Sequence, residues 1–287
     1  MLSSRVRTAG LTVAALLGFA ANSLLCRMAL GPRLVDAATF TTIRIVSGAL
    51  MLLLLVRVAG TTREGAPVMG AGSWTSAAAL FGYAAAFSFA YLRIGAGMGA
   101  LLLFGAVQAT MLAWALREGE RLRWNEAAGL LAALAGLVAL VRPGMSAPDA
   151  AGALLMIGAG VAWGVYSLRG RGAARPLAMT ASNFARAVPM ALALSLAGLG
   201  FAHLSLRGSL LAVASGALSS GVGYSLWYAA LRGLTATQAS VVQLSVPVLA
   251  AAGGVAVLGE ALTPRLLASG MAILGGVALA VLGPRRA

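Results

Sequence analysis

Two arginines, Arg44 and Arg186, stand inside apolar stretches long enough to cross a bilayer. A guanidinium in hydrocarbon costs roughly 2.5–3.5 kcal/mol on insertion scales, so an arginine at that depth faces a cavity or a partner. One use for such a group is capture of a carboxylate or another anion. The competing use is structural: snorkelling to the nearer interface, or hydrogen bonding to carbonyls where helices are broken. Aromatic side chains form a second constellation. Tyr83, Phe87 and Tyr91 recur at i, i+4 and i+8 along one helical face, Trp163 precedes Tyr166, and Tyr224 precedes Tyr228. Aromatic walls suit a flat apolar group, while their OH and NH groups orient its polar end. Packing or an interfacial belt is the alternative, and it fits Tyr91 and Tyr228 near helix ends.

Amides at membrane depth are the third group: Asn22, Gln108, Asn183 and Gln243. Lipid leaves an amide unsatisfied, so each must point inward. Ser240, Gln243 and Pro247 share one face at i, i+3 and i+7. Either binding a ligand or joining helices accounts for such residues, and joining is the commoner use. The candidate binding set is therefore Asn22, Arg44, Tyr83, Phe87, Trp163, Arg186, Tyr224 and Gln243.

The missing chemistry is equally informative. Cys26 is the only cysteine and His203, placed in a loop, the only histidine. No intramolecular disulfide or cysteine-cluster metal site can form, and no metal or cofactor is expected. All seven acids, Asp36, Glu64, Glu118, Glu120, Glu126, Asp149 and Glu260, fall in loops or at helix ends. A membrane-embedded enzyme such as a lipid-modifying transferase needs a nucleophile, paired acids or metal ligands on a cavity, so an enzyme is disfavoured. A proton relay needs Asp, Glu or His within the membrane. Movement of a solute down its own gradient is then simpler than proton coupling.

The elements that position these residues follow from composition. Of 287 residues, 60% are hydrophobic and 10% charged, with a mean hydropathy of +0.92. Soluble domains carry about a quarter charged residues. The apolar residues gather in stretches of roughly 18–23, each long enough as a helix to span about 30 Å of hydrocarbon. Pro, Gly and charge mark the breaks, as at Gly31-Pro32-Arg33, Arg142-Pro143-Gly144, Arg175-Pro176 and Thr263-Pro264. The expected helices are 8–30, 37–58, 72–93, 96–116, 124–141, 149–169, 177–199, 209–231, 236–258 and 264–283. Pro189 and Pro247 fall inside helices, where they remove a backbone hydrogen bond and invite a kink. Arg5 and Arg7 before a long apolar stretch suggest an uncleaved first helix rather than a signal peptide.

The net charge of +14 is carried by arginines set singly or in pairs between apolar stretches, with no lysine. That distribution reads as topology, not as a nucleic-acid surface. With the N-terminus cytoplasmic, thirteen arginines fall in cytoplasmic segments and six on the other face. The bias favours a bacterial inner-membrane protein with both termini inside.

The sequence also repeats. Gly119-Glu120-Arg121-Leu122 returns as Gly259-Glu260-Ala261-Leu262, Leu92-Arg93 as Leu231-Arg232, and Arg44-Ile45-Val46 as Arg186-Ala187-Val188. The expected fold is all-α: a polytopic membrane protein of ten transmembrane helices in two inverted five-helix repeats, residues 1–145 and 146–287. Five helices per half is odd, so the second half sits upside down, and such repeats mark transporters. Aligning Arg44 with Arg186 places Trp163 opposite Ala21, beside Asn22.

Five-plus-five helices, the Gly-Glu pair after the fourth and ninth, and Ala-Leu-Arg closing the eighth resemble the EamA-type drug/metabolite transporter superfamily over nearly the whole chain. Length and aromatic content also resemble its branch exporting aromatic amino acids (YddG-like). The resemblance implies a carrier of small metabolites, amino acids among them, working by alternating access in the lipid bilayer with no nucleic-acid partner. Oligomeric state stays open, and a monomer is compatible with the reading. A proton-coupled antiporter, a lipid-modifying enzyme and a channel or scaffold subunit are the alternatives.

Overall fold

A computed structural model of the chain describes residues 2–60, 68–118, 124–141, 148–170, 173–234 and 242–282. In chain order the long helices are α1 (Leu2–Leu30), α2 (Ala37–Val58), α3 (Trp74–Tyr91), α4 (Ala96–Arg117) and α5 (Trp124–Val141). They are followed by α6 (Ala150–Arg169), α7 (Pro176–Ala197), α8 (Leu206–Leu231), α9 (Ser245–Leu258) and α10 (Pro264–Leu282). No strand occurs among the described residues beyond an isolated bridge between Val35 and Leu204.

Local chemistry fixes most helix starts. Asp36, Ser73, Asp149 and Ser205 cap α2, α3, α6 and α8, each side chain accepting from a backbone N–H three residues on. Such a cap is worth about 0.5–2 kcal/mol. Pro176 opens α7, where its missing N–H costs nothing. Gly95, at the start of α4, supplies no side-chain cap.

Three boundaries depart from the sequence expectation. α1 begins at Leu2 rather than residue 8, so Arg5 and Arg7 lie within its first turns. α8 begins at Leu206, behind the Ser205 cap, and not at 209. The stretch expected as one helix over 236–258 is interrupted at Leu244, and residues 235–241, including Ser240, lie outside the described set. Pro247 explains the interruption: its ring and absent N–H conflict with the carbonyl four residues back, at Gln243, so a regular helix resumes at Ser245.

Among the described residues, five helices are long and apolar enough to cross a membrane by length and composition: α1, α2, α6, α7 and α8. Shorter apolar helices, including Ala96–Met111 and Ser245–Leu258, accompany them. The bundle is apolar outside and polar within. Leu50, Leu54, Leu154, Leu196, Leu210 and Met271 are exposed, whereas Thr41, Arg44, Ser88, Thr180, Asn183 and Ser215 are buried. A lipid solvent selects that inversion, since it leaves polar groups no partner but one another.

The helices run alternately up and down. At one end, Arg93 pairs with Asp149 at 3.4 Å, Ser205 N donates to Leu34 O, and Asp36 Oδ2 accepts from His203 N. Burial would raise the Asp36 carboxyl, but the N–H bonds of Thr39 and His203 outweigh it and hold the group below the ordinary carboxylate value. At the other end, Arg169 donates to Thr75 and Ser76, Ser73 N donates to Asn183 Oδ1, and Ser182 Oγ to Met69 O.

Packing between the halves follows a pattern. α2 lies on α7, α5 on α10, α3 and α4 on α6, and α8 and α9 on α1. Exchanging the first five helices for the last five maps every one of these pairs onto itself or onto another in the set.

The alternation predicts that reporters fused at the C-terminus and inserted near Gly144 label opposite faces of the membrane. Finding both on one face by accessibility labelling would overturn the topology.

Candidate functional site

The site is built where α1, α3, α6 and α8 converge at mid-length. Tyr83 and Phe87 of α3 lie a turn apart with ring centroids 5.4 Å apart. Trp163 of α6 covers them, 4.9 Å from Tyr83, and stacks on Tyr224 of α8 at 5.4 Å and 21°. Tyr166 and Phe19 close the cluster, 5.3 Å from Trp163 and 5.7 Å from Tyr224. The aromatic rings come from four separate helices, so their packing holds both halves together.

A small cavity of about 40 Å³ lies within this cluster. It has room for about three waters. Asn22, Tyr83, Phe87, Trp163, Tyr224 and Gln243 line it, six of the eight residues singled out from sequence. Phe19 and Ser23 of α1, Leu103 and Phe104 of α4, and Ser219 and Ser220 of α8 complete the wall.

Arg44 stands directly behind that wall. It is 2% exposed, a number that matters because no carboxylate among the described residues pairs with it. Its Nη2 donates to Tyr83 Oη at 2.9 Å, and its guanidinium lies over the Tyr83 and Phe87 rings at 5.2 and 4.9 Å. Its Nη1 is buried without a hydrogen-bond partner among the described residues. Asn22 Nδ2 reaches the same Tyr83 oxygen at 3.4 Å, and Asn22 Oδ1 accepts from Ser215 Oγ at 2.6 Å. The Tyr83 oxygen thus accepts twice and keeps its own O–H proton to donate. Cation–π contact and one phenol compensate a buried charge only in part. The geometry leaves an anion-seeking group at the edge of an aromatic cavity.

Arg186 is elsewhere. It reaches Ser182 Oγ and lies 5.9 Å from the Trp74 ring, towards the end of the bundle that holds residues 68–76. It does not line the cavity. Asn183 and Tyr91 also lie outside the cavity: Asn183 ties α7 to the start of α3, and Tyr91 packs edge-on against Phe87 at 4.7 Å. Gln108 and Tyr228 are likewise absent from the lining.

The sequence reading missed the shape of α8. Residues Ala214–Val222 form a π-helical segment between two α-helical ones. Runs of this kind are rare and favour functional sites. Gly216 lets α8 touch α2, since a methyl there would overlap the Arg44 carbonyl and the Ser47 hydroxyl. The widened turns place Ser215 on Asn22 and Ser219 and Ser220 on the cavity. The detectable signal is the run Ser215-Gly216, Ser219-Ser220-Gly221, Gly223 within an otherwise apolar helix.

The opposite ends of the bundle differ. Around the N-terminal half of α1, a basin of about 1370 Å³ opens between α1, the end of α8 and the start of α9, lined by Arg5, Arg7 and Arg232 and reaching Leu16 and Val242. Phe19, three residues beyond Leu16, and Gln243, next to Val242, already belong to the central cavity.

A model of the EamA-like transporter family matches residues 150–282, from the start of α6 to the end of α10. A protein of Pseudomonas aeruginosa, described as uncharacterized, is 54% identical over 279 residues, spanning 97% of this chain and 96% of its own. Residues 150–282 carry an EamA-like transporter family domain. A crystal structure of a protein 25% identical to this one matches 96% of this chain and 97% of that chain with a TM-score of 0.63. The matched half of the chain is thus that of a membrane transporter family, and residues of both halves line the central cavity.

The close approach of α8 to α2 yields a prediction. Gly216→Ala should destabilise the protein by about 1–3 kcal/mol, the usual cost of overpacking, because backbone on α2 cannot yield as a side chain would. A thermal melt in detergent checks it: an unchanged midpoint would mean that α8 moves away freely.

Proposed function

We propose that this protein exports small metabolites, amino acids with aromatic or other apolar side chains foremost, by alternating access around the central cavity. One observation carries the reading: a buried arginine with no carboxylate partner stands behind a tyrosine hydroxyl at the edge of a cage of aromatic rings. A carboxylate near Tyr83 would receive the phenol proton and the field of Arg44, and charge-assisted bonds of this kind are about twice as strong as neutral ones. The aromatic walls would take an apolar side chain, with Trp163 as the broadest face. Asn22, Gln243, Ser219 and Ser220 offer groups for an amine.

The exchange symmetry of the helix contacts supports an inverted repeat of residues 1–145 and 146–287. Two halves so related can swap conformations and expose one site alternately to each side. The cavity of about 40 Å³ is too small for an amino acid, so a loaded carrier needs the walls to move apart. The excess of arginine on the N-terminal face supports both termini in the cytoplasm of a bacterial inner membrane.

Coupling to protons is not required by this reading. The acids Asp36, Glu118, Glu126, Asp149 and Glu260 lie at helix ends, and Glu64 and Glu120 fall outside the described residues. Purified protein in liposomes at equal internal and external pH is expected to pass labelled aromatic amino acids down their gradient. An absolute need for a pH gradient would refute uncoupled transport, as would steady accumulation against the solute gradient.

Removing the indole tests the site itself. Trp163→Ala is expected to cut flux of aromatic amino acids about tenfold, the scale of a lost stacking partner plus its buried area, with membrane levels nearly unchanged. Arg44→Ala is expected to weaken carboxylate substrates more than their esters or amides. Unchanged flux in the first variant, or equal losses for acids and esters in the second, would mean that these residues only pack helices.

A further inference from the structure

The repeated Gly-Glu pair finds a use at the end of the bundle remote from the basin. Gly259 closes α9 in the left-handed region at φ +64°, where a side chain is strained, and Glu260 N then donates back to Gly254 O at 3.0 Å. That turn aims the Glu260 carboxylate across at α4 instead of out to water, where the sequence alone placed it. There Oε1 accepts from Ala96 N at 2.8 Å and Oε2 from Gly97 N at 3.4 Å. Glu260 thereby supplies the cap that Gly95 cannot, and its charge meets the positive end of the α4 dipole.

The carboxylate sits in a slot walled by two glycines. A methyl at Gly95 would come within 2.8 Å of its Oε2, and one at Gly254 within 2.6 Å. Arg27 of α1 completes the arrangement, with Nε 3.7 Å from Oε1 and Nη1 donating to Tyr91 O at 2.8 Å. Tyr91, wholly buried, packs on Phe87 of the central cavity and lies against Gly99. One side chain of the second half is therefore bonded to two helices of the first, just beyond the aromatic plug over the cavity.

We propose that Glu260, seated in the Gly95–Gly254 slot and paired with Arg27, is the latch that holds this end of the transport path shut and must leave its slot whenever the end opens. The proposal rests on the alternating-access reading above, because only a separation of the two halves at this end requires the bonds to break. Its ligand is internal, so it is testable without knowing the substrate.

The test uses Ser23→Cys, on the cavity wall, in a Cys26→Ala background that removes the sole native thiol. A membrane-impermeant maleimide is applied to vesicles of both orientations, and the ratio of labelling from the two sides is read. Glu260→Gln keeps an acceptor but loses the charge, and is expected to raise labelling from the Glu260 side about fivefold, the scale of a partly buried ion pair plus a charge at a helix N-terminus. Gly254→Ala keeps the charge but fills the slot, and is expected to shift the ratio the same way. Arg27→Gln leaves α4 capped, and its shift decides the matter if the other two variants do not reach the membrane. An unmoved ratio, with or without a lowered melting temperature, would make Glu260 a helix cap only and overturn the proposal. Flux absent for every solute tried while the ratio shifts would leave the latch standing and count against the substrate reading; flux present with an unmoved ratio would remove the latch alone.

Discussion

A guanidinium enclosed in an apolar bundle constrains everything packed around it, because water cannot reach it and no carboxylate among the described residues neutralises it. Arg44 meets that condition with a phenol oxygen and two ring faces, and those partners belong to α3. Tyr83 is in turn tied through Asn22 to α1 and through Ser215 to α8. Four helices drawn from both halves are thus positioned by one charge. The π-helical turns of α8 belong to the same constraint, since Gly216 brings them against the Arg44 backbone.

Around this fixed centre the two ends of the molecule differ in kind. One end is closed by directional contacts across the halves, with Glu260 on the start of α4 and His203 backbone groups on Asp36. The other carries a wide basin ringed by arginines. Tight contact persists along α2, α7 and α8, where Gly48 faces the Phe184 ring and Thr42 donates to the Ala191 carbonyl.

The fold was largely legible in the sequence because lipid demands simple things: apolar runs of a set length, breaks at Pro and Gly, and polar residues turned inward. The 3.6-residue period put Tyr83 and Phe87 on one face, and scarcity of polar residues at depth pointed to Asn22 and Gln243. Sequence could not separate Arg44 from Arg186, since both occupy equivalent places in the repeat and only packing shows which stands behind the cavity wall. It also hid Glu260, whose role depends on a left-handed glycine and a bare helix start some 160 residues away. The interruption before Pro247 and the π segment escaped for a related reason. Each is a local departure from regular helix, set by contacts with a neighbour and not by the residues' own preference.

The unmatched charge of Arg44 has an electrical consequence. Guanidinium stays protonated under any physiological condition, so the pathway carries a permanent positive charge close to its narrowest region. Small cations approaching the cavity meet a repulsion that low dielectric makes stronger than in water, much as positive groups exclude protons from water pores. On the proposed amino-acid reading, a zwitterionic substrate would escape this, because its carboxylate would approach the charge while its ammonium pointed away. On that reading the side chain proposed to attract an anionic end would also guard the ion gradients of the membrane, and a carrier so built would cycle without short-circuiting them.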